Sequence, residues 1–283
     1  MTKRRRTKMT SHPPEDGAVD ELRKLIPSQN RYNMAAHALE CHENGSPNGR
    51  VLYKYQRISG NSLGALSRGY LYFSKYAQLN DPFDPFLTIA LKRDDLNRMC
   101  NLAKILCMTE VENSPLMWAH YADCWRGMQV AFATLARGVF SPVKYTSQFL
   151  NQSFAPMDLL RLKSRAWDYE KEWRAVHFGD GQRVKHFAYP VAITLGPRAG
   201  HERMLRVRKA LPRTVKTFEV VYPYIADGGI GLQAYSVDDV VNEYGTLPVV
   251  DELYWKSNPF GNSVRAFDAH ESEILANMGL RST

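Results

Sequence analysis

The chain has 283 residues, 44% hydrophobic and 23% charged, enough to bury a substantial core in one large domain or two small ones. No run reaches 18 apolar residues and no apolar segment follows the charged start, so neither a membrane-spanning helix nor a secretory leader is expected. The net charge of +8 falls to +3 once the five cations Lys3, Arg4, Arg5, Arg6 and Lys8 are set aside, which leaves a mildly basic body behind a basic arm.

In chain order, residues 1–17 read as a disordered arm and 18–50 as a helical lead-in that ends in the turn-rich loop Asn44–Gly49. A single α+β domain is expected over 51–255, with 256–283 as a C-terminal tail. Val51–Tyr55 reads as a strand, Ser62–Ser67 as a short helix and Tyr70–Ser74 as an aromatic second strand. Asn80-Asp81-Pro82-Phe83-Asp84-Pro85 is a rigid turn, because two prolines fix φ and restrict their neighbours. A strand over Leu87–Leu91 and a helix over Asp94–Ala103 lead to a strand at Ile105–Met108. Ser114 caps a helix that Pro115 opens and Gly127 stops, and Met128–Ala133 is a strand.

Further strands are expected over Val139–Tyr145, from the Lys163 region through Val176, and around Phe187, Tyr189, Val191 and Ile193. A helical segment covers 150–165 and a basic helix Arg198–Leu211, with late strands at Thr214–Tyr222 and Gly245–Tyr254. Gly228–Gly231 reads as a glycine-rich turn. Many short strands with few long helices favour an α+β fold around mainly antiparallel sheets.

Four cysteines, Cys41, Cys100, Cys107 and Cys124, form no C-x-x-C pair, which suits free thiols in the cytoplasm. His120 and Cys124 stand four apart on the predicted helix, but a second ligand pair is missing, so no metal site is expected. Phosphate-loop, dinucleotide, zinc-protease and nucleophile-elbow motifs are absent from the sequence.

The chemical question sits in KSRAWDYEKEWRAV, Lys163 to Val176. In a strand, Glu170, Glu172 and Arg174 share one face, and Lys171 and Trp173 the other. Such a face is either a solvated surface or a compact pair of carboxylates aimed at a substrate. His120 and Tyr121, on the helix from Pro115, are either core or pocket lining. Asn80 and Asp81 either stiffen their turn or present Phe83 and Asp84 to a ligand.

The ordered motifs LYKY, LNDPFD, LMWAHYAD and WDYEKEWR resemble those of a large bacterial domain-of-unknown-function family over residues 51–200. More distantly, an aromatic second strand and a late Glu-x-Glu strand resemble the ADP-ribosyltransferase fold of bacterial toxins and abortive-infection proteins. That resemblance implies NAD bound between two small sheets, with Glu172 as catalytic residue and Glu170 as its partner. Lys54 or Tyr55 takes the first-strand position, where those enzymes carry arginine or histidine. Tyr72, Phe73 and Ser74 take the second strand, with Tyr72 and Phe73 stacked on the nicotinamide. His120, Tyr121, Asn80 and Asp81 complete the expected cofactor surface. The acceptor is then a protein or a nucleic acid, in a toxin or phage-defence role. A rival expectation is a non-enzymatic module that binds nucleic acid or an acidic partner through the arm and the Arg198–Arg213 helix. A hydrolase using Glu170 and Glu172 as acid and base ranks below both, because same-face carboxylates are poorly placed to flank a scissile bond.

Overall fold

The computed structural model describes residues 36–38, 40, 42–44, 49–81, 94–134, 139–148, 155–185, 188–226 and 229–249. The basic arm, the Pro82–Pro85 half of the rigid turn, the strand expected over Leu87–Leu91, Phe187 and the C-terminal tail lie outside these residues.

The apolar run Met128–Thr134 forms β5, buried along its whole length. A strand covered on both faces needs apolar side chains in both directions, which explains its lack of alternation. On one side β5 pairs with β1 (Arg50–Gln56) through seven registered pairs, from Arg50↔Thr134 to Gln56↔Met128. On the other it pairs with β11 (Tyr189–Leu195), which runs parallel to β12 (Thr217–Ala226). The helix Gly200–Ala210 is the crossover that a parallel pair requires. An antiparallel hairpin adds β13 (Gly229–Ser236) at that edge.

Beyond β1 the nine-stranded sheet continues through β4 (Lys104–Thr109), β9 (Glu172–His177) and β6 (Phe140–Pro142), with β3 (Ser74–Lys75) also on β4. Every pair in it is antiparallel except β11–β12, in an α+β arrangement with short helices. β2 (Tyr70–Tyr72) pairs with β10 (Arg183–Lys185), and β7 (Lys144–Thr146) lies parallel to β8 (Leu162–Ser164).

The junction of β1 with β4 is the weak seam of this sheet. One registered pair, Tyr53↔Thr109, joins them, whereas β4 and β9 share six, from Lys104↔His177 to Thr109↔Glu172. Next to the seam, the Lys54 ammonium donates to the Cys107 carbonyl at 3.1 Å, so a side chain serves an acceptor on the strand edge.

Several expectations need correction. The Lys163–Val176 stretch is no continuous strand: β8 is followed by a 3-10 helix over Arg165–Glu170, and Lys171 turns the chain at φ 43 before β9 begins. Local alternation suggested a strand, but the left-handed Lys171 breaks the period. Helix within 155–165 is confined to Pro156–Leu159. Tyr70–Ser74 splits between two sheets, as does Val139–Tyr145. Gly229–Gly231 belongs to β13, and Val237–Tyr244 is a helix capped by Ser236 and closed by Gly245, so no strand begins at Gly245. The helix from Pro115 ends at Tyr121, which puts Cys124 on the following turn and separates it from His120.

That turn holds Asp123, Cys124 and Trp125 at φ values of 53, 52 and 71. Trp125 N–H donates to the Trp118 carbonyl at 3.3 Å, and the Trp125 carbonyl accepts from Arg198 N–H at 3.1 Å. A Cβ on Gly196 would sit 2.1 Å from the Trp125 carbonyl oxygen, so only glycine permits this approach. Gly196→Ala is expected to lose about 1–3 kcal/mol of stability or more through overpacking against backbone, read as a lower denaturant midpoint.

Candidate functional site

Four charged side chains lie together in the interior where β8 meets β9. Lys163, Glu170, Glu172 and Arg174 are 2%, 3%, 3% and 0% exposed, so no solvent compensates their charges. Lys163 Nζ donates to Glu170 Oε2 at 2.5 Å and to Glu172 Oε2 at 2.9 Å. Arg174 Nε donates to Glu172 Oε1 at 2.8 Å, and its Nη1 to the Leu160 carbonyl at 2.9 Å. The tight turn at Lys171 brings both glutamates onto one lysine. The resulting order of charges alternates in sign, which offsets the cost of burying each.

The surrounding elements fix these groups. Ser164 caps the 3-10 helix by accepting from Ala166 N–H at 3.4 Å, and Thr109 Oγ1 donates to the Glu170 carbonyl. Tyr145, opposite Lys163 in the parallel pair, accepts the Glu172 N–H at 2.7 Å. Tyr121 O–H donates to Glu170 Oε1 at 2.5 Å, and Asn80 Nδ2 donates to the Tyr121 oxygen.

The two carboxylates therefore differ. Both oxygens of Glu172 are held by cations. Burial pushes its pKa upward, but Arg174, and then Lys163, outweigh burial and hold it at about 2. For Glu170 burial is the largest influence and raises its pKa above the ordinary carboxylate range, against Lys163 and Tyr121. Burial is also the largest influence on Tyr121; it and the charge of Glu170 raise the phenol's pKa and keep it a donor. Lys163 is raised because Glu172 and Glu170 overcome its desolvation, whereas burial lowers Lys54. Their surroundings thus push the two carboxyl groups in opposite directions.

A cavity of about 280 Å³ opens at the seam, lined by Lys54, Asn80, Tyr121, Lys163, Glu170 and Glu172 among others. An adjoining groove of about 590 Å³ shares Lys54, Tyr55, Ser74 and Tyr121 with it. The described residues lining the groove include Lys54, Arg57, Arg68 and Arg183 and no acidic side chain. Arg183 lies over the Tyr70 ring at 5.2 Å, and the Thr214 hydroxyl is buried there without a hydrogen-bond partner.

Of the residues singled out in the sequence, Lys54, Tyr55, Ser74 and Tyr121 line both spaces, Asn80 the cavity and Tyr72 the groove. Phe73 is 2% exposed in the main core against the edge of His177, and Asp81 is fully buried; neither lines a cavity. His120 is exposed among the rings of Tyr121, Trp167 and Tyr169 rather than in the core. The glutamates face neither solvent nor one strand face; they are buried from two different elements. Lys163 and the groove arginines were not foreseen as site residues. The signal for Lys163 was present, since it opens the same stretch, but its partners meet it only through the 3-10 helix and the turn at Lys171. Among the described residues, no three of His, Cys, Asp and Glu gather as metal ligands.

The network makes a stability prediction. Glu172→Gln leaves Arg174 and Lys163 undercompensated and is expected to cost about 3–5 kcal/mol at neutral pH, by denaturant unfolding. The depressed pKa of Glu172 stabilises the fold above the unfolded value of about 4.3. That contribution is lost as pH falls towards about 2, so the gap between wild type and variant narrows over the same window. Glu170 has the opposite sign, because burying it as an anion opposes folding above its unfolded pKa, and Glu170→Gln is expected to cost less than Glu172→Gln. No family model, curated protein or solved structure matches the chain, so the geometry of the site carries the functional reading.

Proposed function

We propose that the seam is the active site of an NAD-consuming ADP-ribosyltransferase, with Glu170 rather than Glu172 meeting the ribose. One observation carries this reading: a carboxylate-bearing cavity adjoins a groove whose described lining is basic and aromatic without an acid. That charge division complements NAD, which has a cationic pyridinium at one end and a pyrophosphate in its middle. Arg57, Arg68 and Arg183 would hold the pyrophosphate, and Tyr70 would offer a ring face to the adenine. The weakly joined seam between β1 and β4 supplies the gap between two halves of the sheet in which the nicotinamide riboside would lie.

In the reaction the C1′–N bond breaks, its electron pair goes to the ring nitrogen and neutral nicotinamide leaves. Glu170, as carboxylate, stabilises the positive charge that develops on the ribose. Its oxygens each accept one hydrogen bond, from Tyr121 and Lys163, and keep acceptor capacity for a ribose hydroxyl. The acceptor, a protein or a nucleic acid, then bonds to C1′ and gives up a proton, which a carboxylate of raised pKa is suited to take. Glu172, held by Arg174 and Lys163, positions Glu170 through their shared lysine.

The test is nicotinamide release from NAD by the full chain. Glu170→Gln is expected to lower kcat by about 10²–10³ with the fold intact. The wild-type rate should rise with pH through the raised pKa of Glu170, and that limb should vanish in the variant. Arg183→Ala should raise KM with a smaller change in kcat. Absence of release by wild type, or an unchanged rate in Glu170→Gln, would sink the assignment.

A further inference from the structure

The helix Gly200–Ala210 and the segment after it form the most strongly charged described surface that the site leaves unused. From Arg198 to Lys216 the sequence holds seven lysines and arginines against one acid, Glu202. Among the seven, Arg203 donates to the Ala199 carbonyl at 3.3 Å, and Arg208 pairs with Asp238 beside the Phe218 ring. The exposed Arg206, Lys209 and Arg213 follow one another at spacings of three and four residues, while Met204, Val207 and Ala210 turn inward and fix the helix to the core. The three cations thus make one row along the outer side of the helix and its exit.

This row leads to the groove. Arg213 stands between Pro212 and Thr214, both of which line the groove. Tyr72, 43% exposed, presents a ring on the same groove lining. Cations spaced along a ridge with an exposed aromatic beside them match the chemistry of a single nucleic-acid strand, whose phosphates repeat and whose bases stack. A nucleic-acid strand carries a phosphate and a stackable base at every nucleotide, whereas the charges and rings of an acidic peptide fall wherever its sequence puts them.

We infer that this ridge binds single-stranded nucleic acid, and that the bound strand is the acceptor of the transfer reaction; the second clause rests on the function proposed above. The bond formed is then between C1′ and a nucleophilic oxygen or nitrogen of the strand. Nicotinamide leaves with the electron pair of the broken bond, and the nucleophile loses its proton.

The test measures binding of a fluorescein-labelled single-stranded oligonucleotide, as RNA and as DNA, to the full chain by anisotropy over a range of salt. The wild type is compared with an Arg206→Ala, Lys209→Ala, Arg213→Ala triple variant. Weaker binding by the triple variant is expected at every salt concentration, with a log–log salt slope shallower by about 2, as for three lost phosphate contacts on a single strand. Labelled poly-glutamate is the control polyanion, and nicotinamide release without oligonucleotide should be unchanged in the triple variant. Unaltered oligonucleotide affinity in the triple variant overturns the inference, as does absence of binding by wild type or stronger binding of poly-glutamate. Retained oligonucleotide binding without NAD turnover leaves the ridge standing and removes the acceptor role. A ³²P-NAD transfer assay then decides that role: label on the oligonucleotide supports it, and label on protein alone overturns it.

Discussion

The ion chain in which Lys163 stands between two glutamates, with Arg174 closing one end, is the constraint on which the site depends. Each member alone would be costly to bury; together they alternate in sign and neutralise one another. The chain also joins several different elements. Lys163 comes from a short parallel pair, Glu170 from a 3-10 helix and Arg174 from the main sheet, and Tyr121 joins Glu170 from a helix 49 residues earlier.

The same interaction divides labour between the carboxylates. Arg174 commits Glu172 to permanent charge, so it acts as a strut. Glu170 shares its lysine with Glu172 and otherwise meets only a phenol, so burial dominates its titration. The cavity lined by this pair lies beside the seam between β1 and β4, where Lys54 covers a strand acceptor. Glu170 and Glu172 lie at the cavity beside Lys54 and Lys163, and Arg57, Arg68 and Arg183 line the groove.

Much of the fold was legible because it follows from local patterns. The apolar runs of β1, β4 and β5 and the Ser114–Pro115 helix start announce themselves in sequence. The helix Val237–Tyr244 also carried its signals, a Ser236 cap, Asp238 and Asp239 in the first turn and Gly245 after the end, but the sequence reading assigned no element there and took Gly245 as the start of a strand. Lys163–Val176 misled for a physical reason. Glu-Lys-Glu-Trp-Arg alternates as a surface strand does, and nothing local reveals that Lys171 is left-handed or that the charges are paired inside. The groove was illegible because Arg57, Arg68 and Arg183 meet only through the pairing of β2 with β10 and the packing around it.

The most direct measurement is a carboxyl titration of the folded protein by NMR with ¹³C-labelled glutamate, assigned with Glu170→Gln. The account predicts one glutamate that titrates above the ordinary value of about 4.3 and disappears in that variant, while another stays ionised towards about 2. If all glutamates titrate together near the ordinary value, or the high one persists in Glu170→Gln, the division of roles at this site is wrong.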